Sequence, residues 1–250
     1  MILLLGGTSE SLAVADLLTR QNLPFVLSVT TAYGADLAKT HAAHVSQQVL
    51  QPEDFAPFFA QQHITQVIDA THPFARVIST LAIAATAAAG IPYVRFERPD
   101  LLTDNATQRL VPDFTAACAE VRKLTGTIYL STGSKTASDF AAALGLARLH
   151  VRVLPTTTVM TKLTAAGFEA TQIDAMRGPF STALNVELFR RVHAVAVVSK
   201  ESGKRGGVQE KLAACQELGI PCIIIRRPQM AYPVQVQSIA ALATYLEVAV

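Results

Sequence analysis

The chain has 250 residues, half of them apolar and only 16% charged, with a formal net charge of +2. That composition excludes a disordered protein and suits strands covered by helices on both faces, in one large α/β domain or two small ones. The longest apolar stretch, around Leu81–Ala89, is interrupted by Thr86 and stopped by Gly90 and Pro92, so no membrane span is expected. Met1–Leu5 is too short and lacks the basic start of a secretory signal, so a cytoplasmic protein is expected.

Ile2–Leu5 is a short apolar strand that runs into Gly6-Gly7-Thr8-Ser9-Glu10-Ser11 and then a helix covered by Leu12, Ala13, Ala15, Leu17 and Leu18. Strand, glycine-rich turn and helix together aim backbone N–H groups and a helix dipole at a phosphate. Thr8 or Ser9 can cap the helix or donate to an oxygen. The spacing falls short of a full G-x-G-x-x-G fingerprint. The next strand, Phe25–Thr30, ends in Thr30-Thr31-Ala32-Tyr33-Gly34. A dinucleotide site would place Asp or Glu here for a ribose 2′-OH, or Arg for a 2′-phosphate, and neither is present. The choice between NADH and NADPH stays open. His41 and His44 could share a helix face, but without an acidic or Cys partner they predict no metal site. A third strand, Val67-Ile68-Asp69-Ala70, is followed by Thr71-His72-Pro73-Phe74-Ala75 and a long Ala-rich helix. His72 and Thr71 fall at the C-terminal edge, where open α/β sheets bind ligands. A fourth strand ends in Arg95-Phe96-Glu97-Arg98-Pro99 and supplies charge at the same edge.

Beyond the midpoint, the strand ends carry hydroxyls, glycines and cations. Ile128–Leu130 leads to Ser131-Thr132-Gly133-Ser134-Lys135; Leu149–Val153 contains Arg152; Ile173–Ala175 leads to Met176-Arg177-Gly178-Pro179-Phe180-Ser181. Val195–Val198 precedes Ser199-Lys200-Glu201-Ser202-Gly203, then Gly206-Gly207, and the last strand closes in Arg226-Arg227-Pro228. Such repetition at one sheet edge argues for a single site. Cys118, Cys215 and Cys222 have no metal spacing and read as buried thiols.

The chain also repeats itself. Gly90-Ile-Pro-Tyr-Val-Arg-Phe-Glu-Arg-Pro99 matches Gly219-Ile-Pro-Cys-Ile-Ile-Ile-Arg-Arg-Pro228, and Leu4-Leu5-Gly6-Gly7-Thr8 matches Leu130-Ser131-Thr132-Gly133-Ser134. Two similar α/β halves, residues 1–126 and 127–250, with a cleft between them, follow from the repeat; halves joined in this way can also exchange a strand, which makes the cut at 126 approximate. The first half holds eight Lys/Arg against eleven Asp/Glu, a formal −3; the second holds thirteen against eight, a formal +5. The second half should therefore face an anion. No basic run with interleaved aromatics occurs and Trp is absent, so a small polyanion fits better than nucleic acid.

Taken in order, Gly-Gly-Thr, Asp-Ala-Thr-His-Pro-Phe-Ala, Arg-Phe-Glu-Arg-Pro, Thr-Gly-Ser-Lys, Arg-Val-Leu-Pro, Gly-Pro-Phe-Ser, Lys-x-Ser-Gly with Gly-Gly and Glu-Lys, and the final Arg-Pro resemble the precorrin-6A and cobalt-precorrin-6A reductases of cobalamin biosynthesis. The resemblance runs from Gly6 to Pro228. It implies two Rossmann-like parallel-sheet domains and an NAD(P)H-dependent reduction of one C=C bond in a polycarboxylate corrin precursor. On that reading Gly6, Gly7, Thr8 and Ser9 hold the pyrophosphate, Thr30 and Thr31 lie where the ribose is met, and Thr71, His72, Pro73 and Phe74 position the cofactor. Lys135, Arg152, Lys200 and Arg226 would meet substrate carboxylates, beside Thr132, Gly133, Ser134, Ser181, Ser202, Gly206 and Gly207. Lys200 and His72 are the candidate proton donors, with Lys200 read first as a carboxylate clamp. One departure is Glu10-Ser11-Leu12 where the family continues Glu-Gly-Arg, which removes a possible partner for a 2′-phosphate. Two rival readings are a non-catalytic NAD-sensing module and an S-adenosylmethionine methyltransferase. The first would have no use for a basic second half. The second needs an acid after the second strand, which Thr30-Thr31 does not supply.

Overall fold

The computed structural model describes residues 1–98, 107–201 and 207–249. The elements run β1 (Ile2–Leu5), α1 (Ser9–Arg20), β2 (Phe25–Val29), α2 (Ala32–Ala38), β3 (Val45–Gln47), α3 (Phe55–Gln61), β4 (Gln66–Asp69), α4 (Arg76–Ala89), β5 (Tyr93–Phe96), β6 (Gln108–Val111) and α5 (Phe114–Arg122). They continue with β7 (Thr127–Ser131), α6 (Ser134–Leu144), β8 (Leu149–Val153), α7 (Thr157–Ala165), β9 (Ile173–Ala175), α8 (Thr182–Arg191), β10 (Ala194–Lys200), α9 (Val208–Leu218), β11 (Cys222–Ile225), β12 (Gln235–Val236) and α10 (Ile239–Tyr245). The second series repeats the first element for element. The expected duplication is therefore visible in the fold.

Each series builds a parallel six-stranded sheet, ordered β3-β2-β1-β4-β5-β12 and β9-β8-β7-β10-β11-β6. Both follow the doubly wound order in which the chain reverses direction beside the first strand. The sixth places are exchanged. β6 follows β5 in the chain yet pairs with β11, and β12 follows β11 yet pairs with β5.

The compact units are accordingly Met1–Asp100 with Gln229–Val250, and Leu101–Pro228. A division at residue 126 does not follow the sheets, because β6 and α5 precede it but belong to the second unit. Strand propensity sets where β6 forms, whereas its partner is set by tertiary pairing, which the local sequence does not encode.

The repeated Gly-Ile-Pro has a local cause. Gly90 and Gly219 end α4 and α9 in the left-handed region, at φ 67° and 65°. Ile91 N–H then donates to Thr86 O and Ile220 N–H to Cys215 O, closing the helix in a Schellman-type turn. The proline that follows cannot extend the helix and leads into a strand. Cores form on the sheet faces, with Leu4, Leu17, Leu18 and Leu27 fully buried in the first unit and Tyr129, Phe189 and Val197 in the second. Burying each such side chain contributes about 1.5–3 kcal/mol. All three cysteines are buried.

Candidate functional site

In the first unit the chain reverses between β1 and β4, whose C-terminal ends lie side by side with Leu5 paired to Asp69. Gly6 packs so closely that a Cβ there would come within 2.5 Å of Leu27 Cδ1 and 3.0 Å of Ser11 Oγ. Gly7 adopts φ +99°, and a Cβ there would meet nothing within 4 Å, so its backbone is open to a ligand. Thr8 caps α1. Its Oγ1 accepts from Ser11 N–H at 3.0 Å and donates to Ala70 O at 2.7 Å, while Ser11 Oγ accepts from Thr8 N–H at 3.2 Å. Ser11 thus completes a capping box and is fully buried. The Thr8 hydroxyl ties the β1 turn to the β4 loop. Ser9 Oγ donates to Glu10 Oε2 at 3.0 Å. Thr30 and Thr31 are exposed at the end of β2, where Thr31 caps α2 by accepting from Gly34 N–H.

Beneath the β4 loop lies a polar network that motif reading did not single out. Asp69 is wholly buried. Its Oδ1 accepts from Thr71 N–H at 2.9 Å, Thr71 Oγ1 at 2.6 Å and Arg95 Nη1 at 2.8 Å. Its Oδ2 accepts from Ser79 Oγ at 2.6 Å and Tyr93 Oη at 2.7 Å. Five donors thus converge on the carboxylate, and burial, followed by the field of Asp69, pushes the Tyr93 phenol far up. Arg95 is 1% exposed, pairs also with Glu97 at 2.7 Å, and lies 5.3 Å from the Tyr232 ring. Tyr232 in turn stacks on Tyr93. Thr71 is therefore turned inward on Asp69. His72 is half-buried and its Nδ1 accepts from Phe74 N–H at 3.2 Å, which leaves Nε2 to carry the proton of the neutral ring. Pro73 and Phe74 are half-buried beside it, with the His72 and Phe74 rings 5.7 Å apart. One signal of the network was available in the sequence: a carboxylate inside the apolar run Val67–Ala70 needs buried partners.

In the second unit the reversal falls between β7 and β10, where Ser131 pairs with Ser199. Gly133 caps α6 at φ 81° without a side-chain bond, and Thr132 is buried with its Oγ1 accepting from Thr136 at 2.9 Å. Ser134 opens α6, and Lys135 is exposed on its first turn. Arg152 is 5% exposed and does not project as a surface clamp. Its Nη1 donates to Asn185 Oδ1 at 2.8 Å and its Nη2 to Ser131 Oγ at 2.9 Å, with the Phe180 ring 4.2 Å away. Burial lowers its pKa. Ser181 caps α8, and Asn185 Nδ2 donates back to Ser181 O. Arg152 thus joins the end of β7 to the first turn of α8. Lys200 is half-buried, and burial followed by repulsion from Lys135 lowers its pKa. Glu201, 2% exposed, pairs with Arg227, whose N–H also donates to it. Gly207 starts α9 at φ 67°, and Arg226 is exposed at the end of β11. Ser202 and Gly206 lie outside the described residues.

His72 belongs to the first unit and Lys200 to the second. Among the described residues no group of three or more His, Cys, Asp or Glu could hold a metal ion, and no helix is long and apolar enough to cross a membrane.

Comparison with known proteins gives one answer throughout. Residues 1–247 match the family model described as precorrin-6x reductase CbiJ/CobK. The cobalt-precorrin-6A reductase of Salmonella typhimurium is 35% identical over 232 residues, covering 91% of this chain and 87% of that protein. That of Priestia megaterium is 34% identical over 235 residues, covering 93% and 92%. The precorrin-6A reductase of Rhodobacter capsulatus is 32% identical over 229 residues, covering 91% and 88%. A solved structure of CobK precorrin-6A reductase superposes with a TM-score of 0.79 at 28% identity, covering 98% of this chain and 96% of that one.

Proposed function

The chain belongs to the precorrin-6x reductase CbiJ/CobK family and is an oxidoreductase that reduces precorrin-6A or its cobalt form in cobalamin biosynthesis; we propose that a reduced nicotinamide supplies the hydride and that the two sheets divide the labour. The observation that carries the division is the open Gly7 turn at the head of the 12-residue helix α1, set at the point where the first sheet reverses.

A dinucleotide fits there because the backbone of Gly6, Gly7 and Ser9 can approach a pyrophosphate, which the start of α1 stabilises. Thr8 and Ser11 hold the turn in shape, and Asp69 fixes the loop of Thr71, His72, Pro73 and Phe74 beside it. Thr30 and Thr31, exposed at the end of β2, would meet the ribose, and the segment 30–34 carries neither a carboxylate nor a guanidinium to select NADH or NADPH. The nicotinamide, when bound, donates hydride; the protein supplies orientation and charge.

In the second unit Lys135, Lys200 and Arg226 would bind carboxylates of the corrin precursor, with Thr132, Gly133, Ser134, Ser181 and Gly207 shaping the loops around them. Lys200 is the better placed proton donor of the two candidates, because its lowered pKa brings it closer to working pH. His72 can hold a proton at Nε2.

The test follows the near-ultraviolet absorbance of NADH and NADPH in parallel, anaerobically, against precorrin-6A and cobalt-precorrin-6A. Oxidation that depends on a corrin substrate is the expected result, and the faster pair assigns cofactor and metal content together. Folded protein that consumes neither cofactor with intact substrates would overturn the proposal.

A further inference from the structure

The loop after β9 carries an aromatic side chain that a buried cation holds in place. Phe180 is half-buried, and the Arg152 guanidinium lies over its ring, 4.2 Å from the centroid and within cation–π range. Arg152 is itself 5% exposed and donates to Asn185 Oδ1 at 2.8 Å and Ser131 Oγ at 2.9 Å. Asn185 Nδ2 donates in turn to the carbonyl of Ser181, the residue next to Phe180, at 2.9 Å. One edge of the ring lies against Gly178, where a Cβ would stand 3.0 Å from Phe180 Cε2 and 3.1 Å from Cδ2. Side chains in connecting loops are ordinarily mobile. This one is covered on one face and met along one edge.

The same sheet edge exposes apolar surface. Among the described residues of the second unit, the large hydrophobic side chains that are exposed are Leu154, at 43%, and Leu184, at 39%. Leu154 follows the last residue of β8, and Leu184 lies in the first turn of α8, its N–H donating to Ser181 Oγ at 3.2 Å. Both therefore fall at the C-terminal edge of the sheet, as Phe180 does, where α/β sheets bind ligands. Exposed leucines scattered singly need no explanation, but two at one edge beside an ordered aromatic do. Cations stand at that edge as well, with Lys135 in the first turn of α6 and Arg226 at the end of β11, both exposed. A wide apolar ring edged with carboxylates suits both kinds of surface.

We propose that Phe180 is a specificity-determining contact of the reductase, the platform on which the macrocycle of the corrin precursor lies, and that Arg152 is its positioning residue. Naming the macrocycle as the occupant rests on the reductase reading. Arg152 is too buried to clamp a substrate carboxylate, so its effect reaches the substrate through the Phe180 ring. Because that ring is ordered before binding, little rotamer freedom is lost when the substrate arrives. The carboxylates are met separately by Lys135 and Arg226, so different side chains recognise the ring and its rim.

The test compares the whole wild-type protein with Phe180→Leu, Phe180→Tyr and Phe180→Trp, with thermal melts confirming that each folds. Kinetics are run with precorrin-6A or its cobalt form varied, whichever wild type turns over. Phe180→Leu should raise the KM for the corrin about tenfold, the loss of an aromatic contact and its buried area, and leave the KM for nicotinamide as in wild type. Phe180→Tyr, which keeps the aromatic face, should recover most of that loss. Arg152→Met should raise the corrin KM when Phe180 is present and leave it unchanged in Phe180→Leu, because a positioning residue then has nothing to position. The chain contains no Trp, so Phe180→Trp supplies a single fluorophore, and acrylamide should quench it less once the precursor binds. A wild-type corrin KM in Phe180→Leu, a nicotinamide KM that rises as far as the corrin KM, or equal quenching with and without precursor would overturn the inference. Arg152→Met that acts equally in both backgrounds would remove its positioning role. Shielding of the Trp by the precursor in a protein that oxidises no nicotinamide would defeat the cofactor reading and leave the platform standing.

Discussion

The two sheets share a strand order and differ in the sign of the charge buried where each reverses. With Leu5 aligned on Ser131, as the repeated sequence directs, Asp69 on β4 corresponds to Ser199 on β10. Ser79 and Lys211 correspond as the fourth residues of α4 and α9. In the first unit the Ser79 hydroxyl donates to the Asp69 carboxylate, and in the second the Lys211 ammonium donates to the Ser199 hydroxyl. One side-chain contact between helix and strand has thus been kept while its ion moved from strand to helix and changed sign. Counting charges by the observed units extends this difference. The first holds five Lys/Arg against nine Asp/Glu, a formal −4, and the second sixteen against ten, a formal +6. A duplicated frame can therefore offer two ligand sites of different electrostatic character without a change of topology.

The largest test of this contrast is truncation at the corresponding strand positions. Asp69→Ala removes the acceptor of five hydrogen bonds and one of the two carboxylates paired with the buried Arg95, so a loss of about 3–5 kcal/mol is expected. Ser199→Ala removes one neutral acceptor and should cost about 1 kcal/mol. Equal losses in denaturant unfolding would mean that the two positions are not energetically distinct.

The second test uses pH. Lys211, which faces Arg152, Glu210, Cys215 and Cys222, has its pKa lowered by burial first, to about 8 against 10.5 for the free side chain. Below pH 8 the folded state carries the buried charge and its full cost. Between pH 8 and 10.5 the folded state releases the proton while the unfolded state retains it, so this group's contribution to stability rises with pH, by at most about 1.4 kcal/mol per unit. The stability difference between wild type and Lys211→Met should narrow over that window, and a flat difference would place the ammonium in water. The first unit has Ser79 at this position and nothing to titrate.

Much of this frame was legible in the sequence. The apolar runs, the glycine turns after Leu5 and Ser131 and the two Gly-Ile-Pro segments located strands, loops and helix ends, because each is a local steric or hydrophobic signal. That halves joined in this way can exchange a strand was legible from the duplication, but which strands exchange was not, since the four-residue β6 and the two-residue β12 do not name their partners. The inward-facing charges were less legible still. Thr71 and Arg152 have the composition of ligand contacts, yet the pleat of their strand ends turns them onto Asp69 and onto Ser131 with Asn185. Lys211 lies in a helix whose pattern reads as amphipathic, and only the packing of α9 on β10 shows that its face is the buried one.

A third comparison concerns the turns themselves. Gly6 cannot accept a Cβ without displacing Leu27 Cδ1, so Gly6→Ala should cost about 1–3 kcal/mol. Thr132, at the corresponding position, already carries a side chain, and Thr132→Ala loses little beyond its bond with Thr136, under about 1 kcal/mol. A tolerated Gly6→Ala would show that the first turn is no tighter than the second and would remove the reason for a close backbone approach there.

The smallest effect separates shaping from binding at Thr8. Its hydroxyl is satisfied on both sides, accepting from Ser11 N–H and donating to Ala70 O, so it should act on the ligand only by fixing the turn. Thr8→Ser keeps both bonds and should melt like wild type. Thr8→Ala loses the cap and should cost about 1 kcal/mol, read as a lower melting temperature. The second unit offers the control, because α6 begins at Gly133 with no side-chain cap to remove. If Thr8→Ala instead kept its melting temperature and lost about tenfold in nicotinamide affinity, the hydroxyl would have turned from Ala70 to the ligand, and the tie between the β1 turn and the β4 loop would be dispensable.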